Sequence, residues 1–570
     1  MLQPGRSNFE IQVYQTDHWV TRDYRETETQ ARTLAKNLLN INSIEGVRIL
    51  KNWMRADGVE TAREIFVEQK PPSKEVKAQI SPIDEAPYCQ KTSEFYRLAS
   101  RTTMNRLLRR YIEQVYVTPT EMLHNYNALR RVQEVDQLFP NAVDRVATLQ
   151  AKNSGEPPKD RRDHLYRVVA KMTRRAQRAE QHPNLPSLRS VSPQEAMAQV
   201  GRIAPEGEVE FFALVALCRD LVASRSWLHK LERLAYLGGP SGSDLMLPLI
   251  DRVLADLVAI PSALQDILGF QRNLGRALIA MADLMEGCFE TSRSDAREQL
   301  AVLQPLIATG QLPETRQALL ERLLQQLASG QPLNRHDPDE EQPTFLAVVQ
   351  RLHRGTDFLG GPATAAAITR RFTYAVEAGG LTGLRQAVKG VLELFPQQMF
   401  QLHYLTALAQ SELVGDLGEA IVGHLDQMIS VPTLDRMLPQ NLSALDRLTQ
   451  AGQLFTTLST LTQLPEEPLR QLVSKLDLLL GEYLTQTGMI DKLDDPGLPL
   501  RDRAIRLIEF CASGLLPVGS AAMQSARDRV ITLLRQPNFD MQLLEGLDDL
   551  AQCERTLRNF HALLMRAGFR

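Results

Sequence analysis

The sequence predicts a predominantly α-helical protein, an irregular multi-helix array or stacked bundles, with a small N-terminal α+β (ββαββ) module. Three observations carry this. The chain is rich in Leu, Ala, Gln and Arg and holds only 6% aromatic residues, whereas large sheet proteins lean on aromatic and β-branched side chains. Apolar residues recur at helical spacing from about residue 93 to the C-terminus. Only the first 70 residues show the period-two alternation of half-buried strands. With 570 residues the chain should hold more than one core, because single cores stop growing at roughly 250–300 residues.

The N-terminal module is read element by element. In FEIQVYQ (9–15), Phe9, Ile11 and Val13 share one face and Glu10, Gln12 and Tyr14 the other, a strand pattern. HWVTRDY (18–24) returns as its hairpin partner across Thr16-Asp17. TETQARTLAKNLLNI then changes period: Ala31, Leu34, Ala35 and Leu38 form a helical stripe, and Thr27 with Gln30 fits a capping box. EGVRILKNWM is a third strand with Val47, Ile49 and Trp53 alternating. ADG (56–58) turns the chain, and REIFVEQ closes the sheet. Trp19 and Trp53 are expected in the core of this unit rather than as a ligand platform.

The module spans residues 1–70. A Pro-rich linker follows (71–92), then a basic helical segment (93–182), a helical domain (194–330) and a C-terminal helical domain (343–570). The breaks are NSGEPPKD, HPNLPSLRSVSP and QPLNRHDPDEEQP. SPQE (192–195) offers a cap for the helix that follows it. Several helices are well marked. LPETRQALLERLLQQLASG has Pro313 in its first turn and Gly330 past its end. LPEEPLRQLVSKLDLLLGEYL sets Leu469, Leu472, Leu476, Leu479 and Leu480 on one stripe. Single helices are expected over 206–237, 262–287 and 434–462, and no fixed repeat period holds along the chain.

Charge is uneven. Residues 1–200 carry 31 Arg and Lys against 24 Asp and Glu, while the remainder carries 34 against 44. The basic part is densest in DRRDHLYRVVAKMTRRAQRAEQHP (160–183). At 100° per residue, Leu165, Val168, Val169, Met172, Ala176 and Ala179 form a buried stripe; Arg167, Lys171, Arg174 and Arg178 form a ridge opposite it. Arg106, Arg109 and Arg110 add charge from RLASRTTMNRLLRRY (97–111), along with Arg97 and Arg101. Clustered Arg on one face is how anion-binding surfaces are built. The plainest reading is nevertheless a solvated face or one paired within the chain. Asp163 stands four residues before Arg167, and the acidic remainder could cover the ridge. No aromatic residue interleaves with the ridge to stack a base.

Chemical motifs are sparse. There is no P-loop, GxGxxG, GxSxG, HExxH or EF-hand pattern. Gly360 and Gly361 precede a helix beginning near Pro362, read as plain helix entry, as is LGGPSGSD capped by Ser243. HDPDEEQ (336–342), with His336, Asp337, Asp339 and Glu340, reads as a polar loop rather than a cation site. Cys218 and His229, placed in one helix, stand about 16 Å apart along its axis and cannot pair. The ten histidines are scattered singly. No cofactor and no metal site is expected.

Five cysteines far apart (Cys89, Cys218, Cys288, Cys511, Cys553) argue against a disulfide framework and for a reducing, cytoplasmic setting. The N-terminus lacks an apolar signal region. The most apolar stretch, 245–264, is interrupted by Asp251, Arg252 and Asp256, so no membrane span is expected. Arg outnumbers Lys 52 to 13, a bias associated with GC-rich bacterial genomes. The functional expectation is a non-enzymatic scaffold or adaptor acting through a protein partner. A nucleic-acid-associated or anionic-surface-binding protein using 97–178 is the alternative, and an enzyme with a non-local active site the third reading.

Overall fold

A computed structural model describes residues 7–15, 18–39, 44, 46–54, 60–69, 79–224, 226–239, 244–291, 293–376, 378–439, 441–537, 539–545 and 550–569. The expected turns at Thr16-Asp17 and 56–58, the Ser243 cap and the first part of the linker lie outside the described residues. The fold is mainly α, with twenty-eight α-helices among the described residues and one small antiparallel sheet at the N-terminus.

The sheet comprises β1 (Ser7–Gln15), β2 (His18–Arg25), β3 (Gly46–Met54) and β4 (Glu60–Gln69) in the order β2-β1-β3-β4, every pair antiparallel. The alternation sets which face is covered. Phe9, Ile11, Val13, Val47 and Ile49 meet Ala31, Ala35 and Leu38 of the helix Glu28–Leu39 in a closed core. Thr27 caps that helix, its hydroxyl accepting from the Gln30 amide at 3.4 Å. The tryptophans depart from expectation: both are half-buried and neither belongs to the core. Trp19 lies with Glu10, Gln12 and Arg48 on the sheet face away from the helix, where the Arg48 guanidinium sits 4.6 Å from its ring centroid. Alternation fixes which side a residue occupies, but not whether that side is covered.

The chain forms two compact units. The first comprises Met1–Ile267, Arg293–Leu306 and Gln311–Thr315; the second comprises Leu268–Ser292, Ile307–Gly310 and Arg316–Arg570. In the first, Pro158–Glu180 forms a 23-residue helix, with Pro158 at its start, Asp160 in its first turn and Arg178 in its last. These positions suit the helix dipole. Leu165, Val168, Met172, Ala176 and Ala179 are buried as the stripe requires, and Val169 is half-buried. Ser192 caps Pro193–Ile203 through the Glu195 amide.

Several of the long helices expected from periodicity are divided, among them those over 119–137 and 540–567. Residues 206–237 divide into Val209–Leu221 and Trp227–Gly238. Residues 262–287 divide into Pro261–Leu268 and Leu274–Glu286, where Gly269 adopts a φ of 70° and Asn273 caps the second helix through the Arg276 amide. Residues 434–462 divide into Leu434–Met437 and Ala444–Thr460, the latter capped by Ser443. Apolar spacing can continue across a short break, so local caps decide these boundaries.

In the second unit the stripe Leu469, Leu472, Leu476, Leu479 and Leu480 of the helix Glu466–Thr487 is buried. Another part of its interior is aromatic. Phe400 stacks on Phe395 at 4.0 Å between centroids and meets Phe358 edge-on at 5.5 Å.

Candidate functional site

The basic ridge is a real surface feature. Arg167, Lys171, Arg174 and Arg178 are all exposed on the helix Pro158–Glu180. Spread over 11 residues, they cover about 16 Å of helix axis. Three other cations of that helix, Arg161, Arg162 and Arg175, are used differently, while Lys159 in its first turn is exposed. Arg161 is buried and donates to Gln150 Oε1 at 2.7 Å and to the Cys89 carbonyl. Arg162 lies 3.4 Å from the Asp144 carboxylate. Arg175 pairs with Glu208 at 2.9 Å and lies 3.8 Å from the centre of the Phe211 ring. Among the described residues, no carboxylate stands within 4.0 Å of the four ridge cations. Arg167 and Arg174 bond backbone carbonyls of their own helix, those of Asp163 and Ala170, each at 3.3 Å. The expected Asp163–Arg167 ion pair is therefore replaced by a local backbone contact.

Arg106, Arg109 and Arg110 are also exposed, but on other helices, and Arg109 is 3.4 Å from Glu113. Arg101, from the same basic stretch, faces the interior. It donates to Asp256 Oδ1 at 2.9 Å, to Glu314 Oε2 at 2.6 Å and to the Tyr96 carbonyl at 2.8 Å. Burial opposes its charge, yet the Asp256 and Glu314 carboxylates more than offset this and raise its pKa. Arg101 thus belongs to the framework rather than to a docking face.

That framework surrounds the helix Pro119–His124, every residue of which is buried. Asp256 Oδ2 accepts from the Thr120 amide at 2.6 Å. Glu121 closes a capping box with Thr118, receiving its amide at 2.8 Å, and also accepts from Lys230 Nζ. Lys230 donates again to the Leu221 carbonyl at 2.9 Å, and both members of the Lys230–Glu121 pair are fully buried. Asp251 Oδ1 accepts from the Thr315 hydroxyl at 2.7 Å and amide at 2.8 Å. Motif reading passed over these residues, but the sequence carried a signal. Asp251 and Asp256 are charges set in an otherwise apolar helical stretch, and a buried charge needs partners.

The histidines are not all isolated. In the second unit His353 Nε2 and His403 Nδ1 lie 3.0 Å apart. Burial pushes His403 down to about 4, with His353 adding to the effect, and burial lowers His353 as well. One neutral ring donates to the other, beside Phe358 and Phe400. In the first unit, burial drives His124 down to about 3. Its Nδ1 lies 2.7 Å from the Thr120 carbonyl.

The remaining candidates resolve simply. Cys218 is buried, its thiol pushed well above the ordinary range by burial, and it donates to the Thr120 carbonyl. His229 is exposed on a different helix, contrary to the expected shared one. The helix after Gly360 and Gly361 begins at Pro362. Arg371 ties that helix to Glu341 at 2.7 Å and to the Ser329 carbonyl at 2.9 Å. His336 is exposed, and Asp337 caps the turn Pro338–Glu340 through the Asp339 amide at 3.2 Å. Among the described residues no group of three His, Cys, Asp or Glu is placed to hold a metal ion, and no helix is long and apolar enough to cross a membrane. No known protein family, curated protein or solved structure matches the chain.

Proposed function

We propose that the protein is a non-enzymatic helical adaptor of the cytoplasm whose ridge Arg167, Lys171, Arg174 and Arg178 docks an acidic face of a protein partner. The observation that carries this reading is the division of labour along one helix. Arg161, Arg162 and Arg175 are engaged within the chain, whereas the four ridge cations are exposed and meet no carboxylate among the described residues. A packed helix presents such a row in fixed register, so complementary carboxylates would steer association and set orientation. An acidic protein is favoured over nucleic acid because the row holds charge without an interleaved stacking platform. The five cysteines, all free thiols, support the reducing compartment.

The test compares the wild-type chain with the quadruple variant Arg167→Gln/Lys171→Gln/Arg174→Gln/Arg178→Gln. Fluorescence anisotropy with labelled polyglutamate at low salt should show binding that weakens at least ~10-fold in the variant and flattens in its salt dependence. Affinity capture from native cells should return an acidic protein with the wild type and lose it with the variant. Equal polyglutamate binding by both chains would end the proposal. Tighter retardation of single-stranded or duplex DNA than of polyglutamate would move the reading to nucleic acid.

A further inference from the structure

The first unit holds an apolar cavity of about 150 Å³, partly open to the surface, among the helices of the basic segment. Met104, Leu107, Met122, Leu129, Phe139 and Met172 form much of its wall, contributed by five helices. One further side is closed by the irregular segment 79–91, whose Ala86, Pro87 and Cys89 reach the cavity. That segment is pinned by polar side chains of two helices. Arg145 donates to the Ile83 carbonyl, Gln150 to the Pro87 carbonyl and Arg161 to the Cys89 carbonyl. The Arg161 guanidinium also lies 4.6 Å from the centre of the Tyr88 ring. The part of the expected linker nearest the helices is thus a fixed wall.

The few polar groups on the wall are already engaged. Ser100 donates to the Glu94 carbonyl at 2.8 Å and Thr103 to the Ala99 carbonyl at 2.9 Å. Gln150 donates to the Pro87 carbonyl and accepts from Arg161, and the Cys89 sulfur lies against the Pro87 carbonyl and Ser100. A guest therefore gains contact almost wholly with carbon and sulfur. Apolar cavities of this volume accommodate benzene-sized guests. The three methionines give the wall adaptable, polarizable surface.

We infer that this cavity is a binding site for an uncharged hydrocarbon group, either a compact ring or a short aliphatic chain, held beneath the pinned segment 79–91. The inference is independent of the basic ridge. Benzene and n-hexane serve as probes for the two shapes, with phenol as a polar control, applied to the full chain. At saturation one of the hydrocarbons should raise Tm by about 2–4 °C and slow amide hydrogen exchange across 83–91. Phenol should bind at least ~10-fold more weakly, because its hydroxyl gives up water for a wall of carbon and sulfur. Ala142→Leu and Val169→Phe each place extra volume at the wall. Both should abolish the response while retaining the wild-type circular dichroism spectrum, and the second variant guards against misfolding of the first. A wild-type chain indifferent to both hydrocarbons, or folded filled variants that respond as the wild type does, would overturn the assignment and leave a packing void only.

Discussion

The interior around Glu121 and the interior around Phe400 solve the same problem with opposite chemistry. The first is stitched by ions. Lys230 and Glu121 are sealed together, and Arg101 is shared between Asp256 and Glu314. The second is filled with rings: Phe358, Phe395, Phe400 and Tyr404, with the two histidines held neutral among them. Buried ions stabilise weakly as complete pairs, because desolvation consumes most of the Coulombic gain, yet removing one partner is costly. Rings contribute through area and dispersion, and each contact is nearly independent of charge. The first interior is therefore intolerant of single changes but tolerant of matched ones. The second should respond to pH more than to the loss of any one hydrogen bond.

The largest expected effect breaks the ionic interior. Lys230→Met leaves the Glu121 carboxylate buried beside a methyl group and should lower stability by about 3–5 kcal/mol in urea denaturation. Glu121→Gln added to it removes the stranded charge, keeps an acceptor for the Thr118 amide and should restore most of that loss. If the double variant were no better than the single one, the pair would be acting through packing rather than charge, and the contrast would fail.

Second in size is the acid response of the aromatic interior. His403 is held down to about 4, against 6.5 for an unfolded histidine. The unfolded chain therefore binds more protons between these values. The neutral pair's contribution is fully present above about pH 6.5 and is lost as pH falls toward 4, a change on the order of 3 kcal/mol. His124, held down to about 3, acts with the same sign in the first unit. Stability of His403→Gln against pH should show a shallower fall over this window than the wild type. A titration midpoint near 6.5 for the His403 ring, followed by NMR, would contradict the burial argument.

How much of this was legible in the sequence depends on range. Within one helix or hairpin, periodicity suffices. The stripe Leu165 to Ala179 and its opposed ridge, the ββαββ order and the entry of the helix at Pro362 all follow from neighbours. Pairings across distance do not. Lys230 meets Glu121 across 109 residues and His353 meets His403 across 50. No local pattern specifies either, although Asp251 and Asp256 in an apolar helix announce that partners exist. The exposed ridge was readable because exposure there is a property of one helix. The cavity was not, because a wall made by five helices and a pinned segment exists only after packing. Trp19 shows the same boundary, since its side of the sheet was predictable and its partial exposure was not.

The smallest effect sharpens the comparison. Tyr404 is fully buried, and its hydroxyl lies 2.7 Å from Thr369 Oγ1. Burial pushes the phenol well above its usual range, so the group stays neutral at any pH the fold survives. Tyr404→Phe removes one neutral hydrogen bond and leaves the ring, stacked in parallel with Phe400 at 6.5 Å, in place. Thr369 keeps its bond to the Ala365 carbonyl at 2.8 Å, so no donor is stranded. The expected loss is about 1 kcal/mol in the same urea measurement, the net worth of an ordinary neutral hydrogen bond. The contrast with Lys230→Met is then several-fold, although both changes delete one polar group from a buried site. The difference lies in what remains behind: in one interior an unpaired charge, in the other a satisfied hydroxyl. A loss for Tyr404→Phe as large as that for Lys230→Met would mean that the aromatic interior too depends on a polar network, and the two regions would no longer be opposites.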